Sequence, residues 1–292
     1  MADNNDLRHV ARIGAELGES PVWDDENGVL YFVDITRGKI KVLLPHGKVE
    51  TVHESAVHIG ALALTDKGNL LFTEKASVAM LDIRTGDVSH IHAGIHDSAG
   101  YRFNDGACDP QGRFITGLMH EGPDRKSGAL YRFDSLGNVH SIQQGIALPN
   151  GLAWSEDGNT LFFVDSIACS IFQATYTAHG MPEDVRLFIK TPTELGRPDG
   201  IALDKEGGLW VCQFNGGCLL RYDRYGHLSD RVLMPVPRPT SCCFGGKGLG
   251  TLFITTARFA MTPRALITYP NAGDLYAITP KISGNPRYLF KA

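Results

Sequence analysis

The sequence predicts an all-β fold, a six-bladed β-propeller with four antiparallel strands per blade, and three observations carry that prediction. One phrase recurs six times: a small or acidic residue, an apolar pair, a turn bearing Asp or Gly, then an apolar strand. It reads ESPVWDDENGVLYFVD from Glu19, GALALTDKGNLLFTE from Gly60 and NDGACDPQGRFITGLM from Asn104. It returns as NGLAWSEDGNTLFFVD from Asn150, DGIALDKEGGLWVCQ from Asp199 and, degraded, SCCFGGKGLGTLFITTA from Ser241. The copies lie roughly 40–50 residues apart, the period of propeller blades. Finally, each copy is followed by a second, more polar hairpin, so every period supplies four strands.

Each element has a local reason. The turns DDENG, TDKGN, DPQGR, EDGNT and DKEGG are built from Asp, Asn and Gly, which tolerate the left-handed backbone that tight hairpins need. The strands that follow are rich in Val, Ile, Leu, Phe and Trp, as expected where both faces are buried between neighbouring sheets. Downstream, KIKVLLPHGKVETVHE, VAMLDIRTGDVSHIHA and their counterparts as far as DLYAITPKISGNPRYLF alternate apolar and polar residues and read as outer, half-solvated strands. LRHVARIG, near the start, has no hairpin partner and is predicted to complete the last blade, clasping the ring shut. Residues 1–292 then form a single propeller domain, with Met1–Asn5 a disordered leader. The stretches His120–Ser127 and Ala260–Ala272 read as loops, and no useful helical periodicity is present. Trp23, Trp154 and Trp210 occupy repeat positions and read as packing residues between blades.

Composition narrows the partners. With 28 Lys and Arg against 32 Asp and Glu, the net charge of −4 provides no basic field for nucleic acid or anionic lipid. No apolar run approaches membrane-spanning length, and MADNNDLRHV lacks the apolar core of a signal peptide, so a cytoplasmic protein is expected. Its six cysteines lie largely in apolar strands and read as reduced, buried thiols; without a CxxC pair they offer no zinc site. A monomer or weak homo-oligomer with a small-molecule partner is the expectation.

The chemistry lies where the copies differ. Inner strands of a propeller start at the central channel, so their leading residues converge: Glu19, His58–Gly60, Asn104–Asp105, Asn150, Asp199 and Ser241. Of these, Glu19, Asn150 and Asp199 offer two carboxylates and an amide carbonyl, an all-oxygen set for one divalent cation. Ca, Mg and Mn suit it best; Zn and Fe(II) are further options. Asn-Gly and Asp-Gly are also ordinary turn formers, so Asn150 and Asp199 can equally be read as loop caps. Glu19, a poor turn former, favours the ligand reading. No GxSxG elbow is present, which disfavours a serine nucleophile.

The blocks GESPVW, YRFNDGACDPQGRFITGLM, LPNGLAW, RPDGIALDKEGGLWV, NGG and PTSCCFGGKGLGTLFIT closely resemble the senescence marker protein / regucalcin / gluconolactonase family, from about Gly18 to the C-terminal end. The resemblance implies a six-bladed propeller of metal-dependent sugar lactonases. It implies Glu19, Asn150 and Asp199 as metal ligands and Asp199 also as the catalytic base. It further implies Arg102 and Asn104 as substrate contacts. The segment LMHEG places His120 and Glu121 on the substrate side, where animal members carry acidic residues, so lactone preference does not carry over. The expected reaction is hydrolysis of an aldonolactone to its aldonic acid. Hydrolysis of another ester such as an organophosphate, or a non-catalytic calcium-binding propeller, are the alternatives.

Overall fold

The computed structural model describes residues 6–92, 94, 100–122 and 127–292; the leader Met1–Asn5 and most of the loop after Gly122 lie outside them. Six four-stranded antiparallel sheets form the ring. Their inner strands are Gly18–Asp24, Ile59–Leu64, Tyr101–Cys108, Pro149–Trp154, Arg197–Leu203 and Pro239–Gly245. Each packs against the inner strands of the blades before and after it, and the sixth returns to the first. The clasp is as predicted: Arg8–Ala11 pairs antiparallel with Leu275–Ile278 as the fourth strand of blade six. The Asp274 carboxylate anchors it, accepting from Ile13 N and Gly14 N at 2.8 Å each and bonding His9 Nε2 at 2.8 Å.

The core is divided by blade interface. Six apolar clusters each draw on two adjacent sheets; one joins Val22, Tyr31 and Ile40 to Ile59, Leu62 and Phe72. The tryptophans pack between or within blades as expected: Trp23 stacks on Phe253 at 5.6 Å, and Trp154 meets Tyr176 edge-on. Turn chemistry also follows the sequence. Asp24, Asp109 and Asp204 each accept two backbone N–H groups of their own turn; the Thr65 hydroxyl also accepts two, and that of Ser155 accepts one. All six cysteines are buried and unpaired. Among the described residues no helix is long and apolar enough to cross a membrane.

Two expectations are corrected. The stretch Ala260–Ala272 is not simply a loop, because Pro263–Thr268 forms a short helix. Thr262 caps it by accepting from Ala265 N, and proline sits at its first position. In addition, PRYLF is not an outer strand of blade six, since the clasp occupies that place. The segment 279–292 instead crosses the end of the channel opposite Glu19, bonding to Lys205, Leu249, Leu64 and Gly112 in four different blades. Phe290 plugs into the core between blades two and three. Above this strap lies a cavity of about 370 Å³ walled by Leu62, Leu152, Ile201 and Phe244.

Candidate active site at the channel mouth

All six inner strands share a defect that shapes the site. Their pairing with the second strand slips immediately after the first residues, between Glu19 and Val22, Ile59 and Leu62, Phe103 and Gly106, Asn150 and Leu152, Pro198 and Ile201, and Pro239 and Cys242. Such bulges bend a strand and re-aim its side chains. Here they gather side chains that regular alternation would send to opposite faces. The backbone freed by the bulges is satisfied locally: Thr73 Oγ1 accepts from Gly60 N and Ala61 N, and Thr255 Oγ1 from Ser241 N.

Glu19, Asn104, Asp105, Asn150 and Asp199 are all buried at this end of the channel. Burial pushes the Glu19 carboxyl well above its usual range, and the charges of Asp199 and Asp105 push it further. Ser20 N donates to Glu19 Oε2 at 2.7 Å and opposes that shift. Asp199 is likewise raised well above the carboxylate range, by burial and then by Asp105. Asp105, raised by burial, is held by N–H bonds from Gly106 and Gly151. The three carboxyls repel one another through the buried channel; Arg102 opposes the shifts of Glu19 and Asp199, while Arg287, on the segment 279–292, opposes that of Asp105.

A hydrogen-bond chain runs beside the acids. Arg102 Nη1 donates to Asn104 Oδ1 at 2.7 Å and to Phe103 O at 3.1 Å. Asn104 Nδ2 donates to Asn150 Oδ1 at 2.7 Å and to Pro149 O at 3.1 Å. Asn150 Nδ2 donates to Ser166 Oγ at 2.9 Å, and Ser166 Oγ donates to Pro198 O at 2.6 Å. Both Nδ2 hydrogens of Asn104 are therefore engaged within the protein. The rest of the Arg102 fork meets no acceptor among the described residues. At the rim, Glu121 Oε1 lies 3.2 Å from His58 Nδ1, and its charge acts on Arg102. His120 ends the strand Phe114–His120; its Nδ1 accepts from Gly122 N, and its ring lies edge-on to Tyr101.

The structure thus brings Glu19, Asn150, Asp199, Arg102 and Asn104 to one end of the channel, with Glu121 above Arg102. It engages His120 in closing its own turn. Sequence reasoning placed Asp105 and His58 among the converging residues without assigning either a role, and missed Ser166 and the pairing of His58 with Glu121. Asp105 could not be assigned because neighbours on a regular strand face apart, and only the bulge overrides that rule. Ser166 reads simply as a turn serine.

The donor set suits a hard divalent cation. Two buried carboxylates with raised pKa need positive charge, and an amide oxygen stands beside them. Among the described residues no three His, Cys, Asp or Glu side chains form a metal-holding group by themselves, so Asn150 Oδ1 and water would complete the shell.

Comparison with known proteins covers the same part of the chain. The family model "SMP-30/Gluconolactonase/LRE-like region" matches residues 17–258, which span every inner strand and the whole site. The chain belongs to that family. Regucalcin of Danio rerio is 34% identical over 281 residues, 94% of this chain and 95% of that protein. A Bacillus subtilis (strain 168) protein provisionally named a sugar lactone lactonase, YvrE, is 31% identical, covering 92% of this chain and 93% of its own length. A crystal structure described as a calcium-binding protein, regucalcin, from Agrobacterium tumefaciens superposes with a TM-score of 0.92 at 25% identity, covering 97% and 96% of the two chains. This SMP-30/gluconolactonase-like chain accordingly shares its fold with the regucalcin structure and nearly its whole length with these relatives.

Proposed function

We propose that this protein hydrolyses a small hydroxylated sugar lactone to its open-chain acid, assisted by one divalent cation held by Glu19, Asn150 and Asp199. The observation that carries this reading is the convergence of two buried, charge-frustrated carboxylates and an oriented amide oxygen beside Arg102. A divalent cation there would act as a Lewis acid on the lactone carbonyl and lower the pKa of water. Asp199 would take the proton from the attacking water. Burial and Asp105 hold Asp199 toward its neutral form, so its strength as a base depends on positive charge beside it. The Arg102 fork would orient the carbonyl and ring hydroxyls, and Asn104 would contribute its carbonyl oxygen while fixing Asn150. Glu121 would accept hydrogen bonds from distal hydroxyls at the rim.

The test is acid release from a panel of γ- and δ-aldonolactones by chelator-treated protein reloaded with Ca, Mg, Mn, Zn or Fe(II). An Asp199→Ala variant should lose at least about a thousandfold in kcat/KM, the combined scale of base and Lewis-acid effects. Hydrolysis at the wild-type rate by that variant would refute the assignment. An organophosphate ester belongs in the same panel, since the cation and base would serve either ester. A purely calcium-binding role would leave the Arg102 fork without purpose, and every substrate in the panel would then remain intact.

A further inference from the structure

The chain of hydrogen bonds beside the acids has a direction, and its two ends impose it. Arg102 can only donate, so the atom of Asn104 that faces it must be the carbonyl oxygen. The Asn104 amide is thereby fixed, with Nδ2 directed at Asn150. The atom of Asn150 that receives it must be Oδ1, which sends Nδ2 of Asn150 to Ser166. At the other end Pro198 O can only accept, so Ser166 must give its proton there and receive Asn150 through a lone pair. Reversing either amide would set two donors or two acceptors against each other, at a cost of about 1–3 kcal/mol for each buried group left unpaired.

We infer that Ser166 is a positioning residue for the cation site: it locks the Asn150 amide with its oxygen on the channel side and ties the backbone just before Asp199 to the same hydroxyl. Ser166 is 3% exposed and follows the strand Thr160–Asp165 directly, so its place is held by the blade and not by a flexible loop. The residue joins two ligands from different blades, Asn150 in the fourth and Asp199 in the fifth. Glu19 has no such tether to them, which leaves the Asn150–Asp199 spacing as the part of the site that Ser166 controls. The inference rests on the cation reading above but not on which ester is hydrolysed.

Removing the hydroxyl frees Asn150 Nδ2 and Pro198 O together. Asn150 is then held by Asn104 Nδ2 at Oδ1 alone, so its amide can swing and tilt its oxygen away from the cation. Loss of a partner that orients a metal ligand typically weakens metal affinity by about 10–100-fold. The experiment is isothermal titration of the chelator-treated full chain with Mn2+ and with Ca2+, comparing wild type, Ser166→Ala, Asn150→Ala and the double variant, with thermal melts of each. Ser166→Ala should weaken binding by about 10–100-fold. In the Asn150→Ala background the same change should cost far less, because only the tie to Pro198 O before Asp199 remains to be lost. A merely structural role would instead weaken both backgrounds equally.

Wild-type affinity in Ser166→Ala, or full additivity in the double variant, overturns the inference. If Ser166→Ala does not fold, Ser166→Cys keeps the shape with a weaker donor and acceptor and should fall between serine and alanine; wild-type affinity there also overturns it. If the wild type binds cation but hydrolyses no lactone, the functional reading fails while the role of Ser166 stands. A wild type that binds neither cation overturns both.

Discussion

Replacing Glu19 by Gln should make the cation-free protein more stable. Glu19 is 5% exposed and faces the charges of Asp199 and Asp105. At an effective dielectric of about 20, a like charge ~6 Å away costs about 2.8 kcal/mol, and a neutral amide removes two such repulsions. Protonation already relieves part of them, and the amide oxygen still accepts from Ser20 N, so a net gain of about 1–3 kcal/mol at pH 7 is expected. At about 2–3 °C per kcal/mol for a chain of this size, the melting temperature in chelator should rise by about 2–8 °C. Adding cation should reverse the trend: at a hundredfold excess over Kd the wild type gains about 2.7 kcal/mol, whereas a variant lacking one ligand gains much less. The pH dependence has a definite sign. Glu19 and Asp199 are both raised, so the folded protein holds more protons than the unfolded chain above the ordinary carboxylate range. Their contribution is therefore favourable at low pH and is lost as pH rises through the raised values, and the advantage of the variant shrinks on acidification. Calorimetry with chelator and with Mn2+ at pH 5 and pH 7 measures all of this. A lower melting temperature for Glu19→Gln in chelator at pH 7 would refute the idea of a charge-frustrated site.

Other outcomes follow from single contacts. Asp274→Ala should cost about 2–4 kcal/mol, because it strips the part-buried Ile13 N–H, the buried Gly14 N–H and His9 of their acceptor; faster proteolysis before Gly14 would show the clasp loosening. Gly60→Ala places a Cβ 2.3 Å from Phe103 O and 2.7 Å from Asn104 O. It should push the Asn104 bulge outward and lower kcat/KM at least tenfold, through misplacement of the groups around the bond to be broken; unchanged kinetics would count against Asn104 as part of the site. Cation affinity of the wild type should weaken as pH falls toward 5, since binding must displace protons held by Glu19 and Asp199, and titrations at three pH values test it.

The architecture was legible because each blade repeats a local code. Turn residues such as Asp24, Asp109 and Asp204 bond their own backbone, and the strands between them need only be apolar. That Glu19, Asn150 and Asp199 come to the same end of the channel was legible for the opposite reason, as departures from that code at equivalent positions. Asp105 was placed in the converging set without a role, and Ser166 was hidden altogether, because what they do depends on geometry that no local pattern encodes: a bulge in the strand of Asp105, and a contact that reaches from one blade to the next. The helix Pro263–Thr268 escaped because a single turn and a half shows no periodicity, although Thr262 before Pro263 is a start signal. The strand reading of PRYLF failed through competition, since Arg8–Ala11 already pairs with the edge it would have used.

That same pairing has a consequence for how the ring is made. Blades one to five each draw all four strands from one continuous stretch and can close as they leave the ribosome. The sixth cannot, because its outer strand is synthesised first and must wait, unpaired, until Leu275–Ile278 emerges. For most of translation the nascent chain therefore carries one strand with no partner, a state in which strands recruit foreign partners. The strap 279–292 follows only after that edge is covered and stitches blades two, three, five and six together from below. Mispairing during synthesis, before Arg8–Ala11 meets Leu275–Ile278, is thus a hazard that the finished ring no longer shows.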